Sequence, residues 1–197
     1  MEKTSIVLIG AGPIGVEAAV ALAEAGLDYV HIEAGQVGST MQWWAPDTTF
    51  FSSPERIAIA DAPIPSVDQS KATRESYLAY LRSVVARHDL PIRTYTRVVA
   101  AAPHPEGGFV LTLRPSNHGV GGPEESRSPI PSPRKQPGDA LLHAEKIILA
   151  IGDLQRPRLL DIPGEDLPNC SHFFDDPHRY FRRKVLLVGG KNSAAEA

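Results

Sequence analysis

Three glycines and one glutamate near the start of the chain have the residue types and spacing that bind a dinucleotide. Gly10, Gly12 and Gly15 stand in the pattern G-x-G-x-x-G, and Glu33 follows 18 positions after the last glycine. In such a pattern the first glycine permits a tight turn, the second lets backbone approach a pyrophosphate, and the third lets a helix pack closely on a strand. An acidic side chain at this distance accepts hydrogen bonds from an adenosine ribose and disfavours a 2′-phosphate. The pattern therefore predicts a site for FAD or NAD rather than for NADP.

The elements that would hold these residues are predicted by the spacing of apolar side chains. Residues 5–9 form a short apolar run typical of a buried parallel strand. Residues 13–25 place apolar side chains on one face of a helix, with Pro13 in its first turn and Gly26 after its end. Residues 29–33 predict a second strand that ends at the glutamate. This order of strand, turn, helix and strand favours a dinucleotide site over the alternative, a glycine-rich turn that binds nothing.

The remaining chain predicts one long helix and several strands. Residues 73–90 follow the helical period, and their apolar face is expected to pack in the core. Residues 92–102 and 109–113 are expected to form a small antiparallel sheet that covers the parallel one, with His104 as a turn residue between them. Residues 144–152 and 184–188 are expected to be buried strands. Residues 114–139, with six prolines, four glycines and four serines, predict a disordered surface insertion.

Composition narrows the class of protein. A net charge of −3 and a pI near 6.2, with lysine and arginine scattered, argue against nucleic acid as a partner. The apolar run at the N-terminus is too short for a signal peptide or a membrane span, so we expect a cytoplasmic chain with no membrane partner. The single cysteine, Cys170, excludes an internal disulfide, a CxxC pair and a cysteine-based zinc site within this chain. Redox chemistry would therefore have to come from a cofactor.

The last residues repeat the opening of a dinucleotide site. The apolar residues 184–188 are followed by "GGKNSAAEA", which has the order of strand, glycine turn and helix start. The sequence stops before a partner strand or a ribose-binding acid follows. We therefore expect a second site that is begun and not completed, in a chain truncated at its C-terminal side.

Several stretches together resemble a known family. Two dinucleotide motifs with "AIG" and "DIPGED" between them resemble the flavin-dependent pyridine nucleotide-disulfide oxidoreductases of thioredoxin reductase type. The stretches "TFFSSPERIAIAD", "IPGEDLPNCSHFF" and "VLLVGGKNSAAEA" narrow this resemblance to the bacillithiol disulfide reductase-like, YpdA-type branch. The resemblance implies an α/β fold with a Rossmann-like FAD-binding domain over residues 1–165. It also implies the start of an NAD(P)H-binding domain over residues 166–197.

The resemblance also implies the chemistry and its residues. FAD would sit on the first motif and NADPH on the second, and hydride would pass from nicotinamide to flavin and on to a small disulfide or related acceptor. The implied cofactor-binding residues are Gly10, Gly12, Pro13 and Gly15 at the FAD pyrophosphate, Glu33 at the ribose, Val98 or Val99 at the adenine, Ala150 and Gly152 near the FAD, and Gly189, Gly190, Asn192, Ser193 and Ala194 at the NADPH. Ile14 stands where members of this branch commonly carry a cysteine, and no catalytic acid, base or nucleophile is assigned.

Some residues keep two interpretations. Asp153 is either the residue after the central "AIG" strand or a ligand of the flavin ribityl chain. The aromatic residues of the segment after Glu33 either approach the flavin or cap the core under a loop; they are Trp43, Trp44, Phe50 and Phe51. Cys170 and His172 either form a nucleophile pair or include an inert thiol, and the inert thiol is favoured.

Two further functions stay open beside the reductase. A flavin monooxygenase shares both glycine motifs, but its linking signature places glycine four residues before histidine, whereas Gly164 and His172 are eight apart. A nucleotide-binding remnant without turnover is the other alternative. In each enzymatic case the partner is a small-molecule substrate, and a homo-oligomer is left open.

Overall fold

The first strand, turn and helix form as the apolar spacing predicts. The computed structural model describes residues 1–66, 68, 70–116, 133–154, 157–174, 176–191 and 194. Strand β1 spans Glu2–Ile9, helix α1 spans Pro13–Glu24, and strand β2 spans Tyr29–Ile32, parallel to β1. Val7 and Leu8 are fully buried on opposite faces of β1, because successive side chains of a strand alternate. Both faces of the opening strand are therefore covered.

In the part of the chain that the structure describes, six strands are hydrogen-bonded into a single sheet. Strands β3 (Ile92–Arg93), β4 (Thr96–Pro103), β5 (Phe109–Pro115) and β6 (Ala140–Leu149) join the first two in the order β3-β2-β1-β6-β5-β4. Strand β6 is parallel to β1 and antiparallel to β5. The expectation that the antiparallel strands cover the parallel sheet is wrong, because sharing β6 makes them extend the same sheet.

The strand expected over residues 92–102 is divided into two. Tyr95 has a φ of 52°, in the left-handed region, and its N–H donates to Gly35 O at 2.9 Å. This turn ends the pairing of β3 with β2 and redirects the chain into β4. The strand expected over 144–152 begins earlier, at Ala140, and ends at Leu149.

The long amphipathic helix forms and packs against α1. Helix α3 spans Arg74–Arg87, after the four-residue helix α2 (Pro54–Ile57). Thr73 caps α3 by accepting from Ser76 N at 3.2 Å, which satisfies one of the free N–H groups of its first turn. Its buried face joins α1 and β1 in one core, as predicted; this face comprises Tyr77, Tyr80, Leu81 and Val84. No helix in the described ranges is long and apolar enough to cross a membrane.

The residues after β6 carry little regular structure. A 3₁₀ helix over Pro177–Tyr180 is present, and residues 184–188 form no strand, so that expectation is wrong. A strand needs a neighbour to satisfy its N–H and C=O groups, and no described strand pairs with this run. Leu186 is 87% exposed. Most of the insertion expected at 114–139 lies outside the described residues, namely 117–132.

Candidate cofactor-binding site

A cleft of about 800 Å³ opens at the carboxyl ends of β1, β2 and β6. In open α/β sheets ligands bind beyond the carboxyl ends of the parallel strands, where loops leave a crevice. Eight residues predicted from the sequence line this cleft: Gly10, Gly12, Pro13, Glu33, Val98, Val99, Ala150 and Gly152. The structure therefore gathers the first motif, the acid, the β4 valines and the "AIG" stretch around one space.

Each of the three glycines of the first motif has a different structural role. Gly10 has a φ of +102°, and a Cβ there would lie 2.4 Å from Ala150 O, so only glycine allows the turn to pass the end of β6. A Cβ at Gly15 would lie 1.9 Å from Gly10 O, so this glycine lets α1 pack against the turn and does not line the cleft. A Cβ at Gly12 would meet no atom within 4 Å. Gly12 is thus the position whose bare backbone faces open cleft space.

The N-terminus of α1 is directed to the same cleft. Gly12 is its N-cap residue, and no side chain caps the helix. Pro13 takes a first-turn position, where the N–H it lacks would have no partner inside the helix. The positive end of a helix favours an anion by roughly 0.3–1 kcal/mol per charge at an exposed site. The arrangement suits a phosphate group.

Glu33 is buried and already engaged by protein donors. Its carboxylate accepts from Ala11 N at 2.7 Å, from Gly35 N at 2.7 Å and from Ser39 Oγ at 3.1 Å. A carboxylate offers about four lone-pair sites, so one remains for a further donor. Sequence reasoning named Glu33 but missed these three contacts, because its donors come from two separate loops.

His31 lies next to the candidate site, and sequence reasoning did not name it. Its side chain is fully buried on β2, its Nε2 lies 2.8 Å from Gly10 O, and its Nδ1 has no partner among the described residues. Burial lowers the pKa of His31 below its ordinary value, more than the Gly10 hydrogen bond and the Glu33 charge raise it. The available signal was a histidine in the middle of an apolar strand, two residues before the acid.

The β4 side of the cleft is shaped by a bulge. Val98 pairs with Leu113 and Ala100 pairs with Thr112, so the strand pairing steps over Val99. A bulged residue is left out of the ladder, and its backbone groups stay available. This agrees with the expectation of backbone contacts to an adenine at these valines, which itself stays a prediction.

The four aromatic residues divide into two pairs. Trp44 and Phe50 line the cleft with ring centroids 5.5 Å apart, and Phe50 also lies 4.5 Å from the Tyr77 ring of the core. They therefore lie between the core and the cleft, so their packing role is confirmed and an approach to the flavin stays a prediction. Trp43 instead contacts the Phe173 ring at 4.8 Å, and Phe51 is 62% exposed.

The described residues of the second motif do not line this cleft. Its described residues Gly189, Gly190 and Ala194 are absent from the cleft lining, and Asn192 and Ser193 lie outside the described residues. Gly189 has a φ of +148°, and Ala194 N donates to Lys191 O at 3.0 Å. Gly189 thus has a backbone conformation that favours glycine, while the role of this motif toward NADPH stays a prediction.

The remaining candidates have structural partners. His172 Nε2 lies 2.8 Å from Glu165 Oε1, so the histidine faces a carboxylate. Hydrogen bonds from the Leu160 N–H and then from His172 lower the pKa of Glu165.

His104 lies in the β4–β5 turn, as predicted, and its carbonyl accepts from Gly107 N at 3.0 Å. Within the described ranges, no cluster of His, Cys, Asp or Glu could hold a metal ion. Asp153 lines the cleft beside Gly152, so both of its interpretations stand.

The fold and the cleft are those of a dinucleotide-binding α/β protein, and comparison with known proteins supplies the family. Residues 7–116 and 138–197 match the family model described as pyridine nucleotide-disulphide oxidoreductase. This match takes in well over half of the chain. The chain therefore belongs to the pyridine nucleotide-disulphide oxidoreductase family.

Individual proteins similar to this chain are reductases. The chain is 30% identical to bacilliredoxin reductase Bdr of Bacillus subtilis over 197 residues, which is 100% of this chain and 53% of the relative. It is 28% identical to a ferredoxin–NADP reductase of Ignicoccus hospitalis over 193 residues, covering 96% of this chain and 50% of the relative. The solved bacillithiol disulfide reductase Bdr (YpdA) from Bacillus cereus matches with a TM-score of 0.84 and 28% identity, over 100% of this chain and 54% of that one.

The reductases match more of this chain than the monooxygenases do. The chain spans about half the length of the curated relatives it matches. Cyclohexanone monooxygenase matches with a TM-score of 0.63 and 21% identity, over 84% of this chain and 29% of that one. At that identity the likeness shows the fold alone.

Proposed function

We propose that this chain binds FAD in the cleft and serves an oxidoreductase in which NADPH reduces the flavin and a small disulfide or related acceptor is then reduced. The observation that carries the proposal is the convergence of the bare Gly12 backbone, the N-terminus of α1 and the buried Glu33 on one cleft. The names of the relatives, which are reductases acting with a thiol partner or with NADP, support the same direction.

The residues of the cleft fit the parts of FAD. Gly12 and the first turn of α1 would hold the diphosphate, because a methyl group at Gly12 would fill the space that the diphosphate needs. The remaining lone pair of Glu33 would accept from the adenosine ribose. Val98 and Val99 would flank the adenine, and the backbone of Ala150 and Gly152 would border the cofactor between them. When bound, the flavin supplies the hydride acceptor and the two-electron donor.

Ile14 bears on how the acceptor is reduced. This side chain lines the cleft and is 71% exposed. An aliphatic side chain cannot form a mixed disulfide with a substrate, since that step needs a thiolate. Electrons would therefore pass from the flavin to the acceptor without a protein thiol at this position.

The division into domains and the location of the chain are part of the proposal. Residues 1–165 would form the FAD-binding domain, and residues 166–197 would begin the NAD(P)H-binding domain on Gly189, Gly190, Asn192, Ser193 and Ala194. The exposed apolar run 184–188 supports a strand that pairs only with further residues of such a domain.

A chain with one cysteine and a mildly acidic pI fits the cytoplasm, with no nucleic-acid partner.

Flavin binding is the decisive experiment. The purified chain is titrated with FAD, and binding is followed by quenching of flavin fluorescence and by a rise in melting temperature. Both signals are expected. The proposal is overturned if the chain is colourless after incubation with excess FAD and removal of unbound flavin, and if its melting temperature does not shift. NADPH oxidation is then compared with a low-molecular-weight disulfide and with oxygenatable substrates, in the chain and in the product of the full reading frame that contains it. Stimulation by the oxygenatable substrates alone would favour the monooxygenase.

A further inference from the structure

The peptide group that joins Gly10 to Ala11 is held at both of its polar atoms by the side chains of His31, in β2, and Glu33, the residue that follows β2. Its carbonyl oxygen lies 2.8 Å from His31 Nε2, and its N–H donates to Glu33 Oε2 at 2.7 Å. The two partners stand two residues apart, one inside β2 and one directly after it, so a single short segment holds both ends of one peptide plane.

This peptide lies at the centre of the candidate phosphate-binding turn. It directly precedes Gly12, the N-cap of α1, and Gly10 N donates to Ile32 O at 2.8 Å. The register is set by the pairing of Leu8 with His31 in the parallel ladder. Because the side chains of His31 and Glu33 are both buried, their hydrogen bonds are strengthened by the low local dielectric. The orientation of the peptide is therefore set before any ligand arrives.

The state of His31 shows that the contact is costly to keep. A carbonyl oxygen only accepts, so Nε2 must carry the proton and donate it to Gly10 O. Neutral His31 then has an acceptor at Nδ1, which is buried and has no partner. A buried acceptor without a partner is unfavourable, and an apolar residue would suit a strand with both faces covered. The histidine therefore needs a reason other than stability.

We propose that His31 is a positioning residue for the cofactor: with Glu33 it holds the Gly10–Ala11 peptide in the orientation that makes the turn ready for a diphosphate. This inference rests on the proposed binding of FAD in the cleft. Without the His31 contact the peptide plane can rotate, and the ligand must pay for ordering it. His31 thereby acts on affinity although it does not line the cleft.

The test uses replacements that keep or remove the donor. His31→Gln places an amide N–H at a similar reach, whereas His31→Leu and His31→Met are apolar and remove it. Leu111→Ala is the matched control, because Leu111 is fully buried on β5 and pairs with Leu142, which itself pairs with Glu2 at the end of β1 opposite to the turn. Circular dichroism and melting temperature are recorded first, so that FAD titrations are made where every variant is folded.

The expected pattern separates positioning from general destabilisation. The two apolar variants should raise the FAD dissociation constant about tenfold or more, since a buried carbonyl loses its donor. His31→Gln should stay within about threefold of the wild type, and Leu111→Ala should melt lower with an unchanged dissociation constant. Wild-type affinity in the apolar variants, or equal weakening in His31→Gln and His31→Leu, would overturn the inference.

A second measurement needs no ligand and so distinguishes this inference from the proposed function. Amide hydrogen exchange at Ala11 should be faster in the apolar variants than in the wild type, in His31→Gln or in Leu111→Ala. If the wild type does not bind FAD but this exchange pattern appears, the proposed function fails while the peptide is shown to be held by His31. If exchange at Ala11 is the same in all variants, His31 does not position the peptide.

Discussion

Gly12 and Gly15 lie three residues apart at the start of α1, yet the structure predicts opposite effects of an added methyl group at the two positions. A Cβ at Gly15 would lie 1.9 Å from Gly10 O and 2.9 Å from Gly10 C, both backbone atoms. A Cβ at Gly12 would have nothing within 4 Å. We therefore expect Gly15→Ala to damage folding and Gly12→Ala to damage ligand binding alone.

The magnitudes follow from these contacts. A backbone oxygen cannot swing aside as the end of a side chain can, so α1 must move off β1 in Gly15→Ala. Such overpacking costs about 1–3 kcal/mol, and we take about 3 kcal/mol here. For a chain of this size that lowers the melting temperature by about 6–12 °C. At Gly12, with a φ of −74°, alanine loses some N-cap preference and gains about 0.4–1 kcal/mol from the unfolded chain, so the two nearly cancel.

The assay measures the two effects separately. Melting temperature without FAD reports folding, and fluorescence quenching by titration reports the FAD dissociation constant. Gly12→Ala should melt within about 2 °C of the wild type but bind FAD at least about tenfold more weakly, because the methyl group takes the space of one diphosphate contact. A Gly12→Ala chain that binds FAD like the wild type, or a Gly15→Ala chain that melts like it, would refute the reasoning.

Three further changes test neighbouring features. Glu33→Gln places an amide NH₂ against the backbone N–H of either Ala11 or Gly35, so that one of these donors loses its acceptor. We expect the unfolding free energy in urea denaturation to fall by about 1–3 kcal/mol and FAD binding to weaken. Unchanged stability would contradict this role. Tyr80→Phe removes the hydroxyl that accepts from Ile59 N at 2.7 Å. We expect the unfolding free energy to fall by about 1–3 kcal/mol while FAD binding is unchanged. The pKa of His31 is lowered from 6.5, so the unfolded chain binds more protons as pH falls through that value, and stability should drop there by at most about 1.4 kcal/mol per pH unit. Urea denaturation at several pH values should show this loss in the wild type and not in His31→Gln; equal pH dependence would contradict it.

Much of the site was predictable because its signals are local. The apolar run of β1, Pro13 at the start of α1 and the positions of Gly10, Gly12 and Gly15 are set within twenty residues, and each has a single stereochemical explanation. Helix α3 was predictable for the same reason, since its period and its Thr73 cap are read along one segment.

Other features were not predictable because their partners are distant in sequence. The split at Tyr95 depends on Gly35, which is sixty positions earlier, and the joining of the antiparallel strands to the parallel sheet depends on β6. The run 184–188 has the composition of a strand, but composition cannot supply the neighbour that a strand must pair with.

The sequence by itself determined the glycine turn and the acid that follows it, because glycine stereochemistry and apolar period act over a few residues. Only the tertiary structure decided how that turn is held. His31 and Glu33 reach Gly10 and Ala11 across the β1–β2 pairing, and Val99 is set free by a bulge opposite β5. Hydrogen bonds between strands depend on register, and register is a property of the assembled sheet rather than of any one segment.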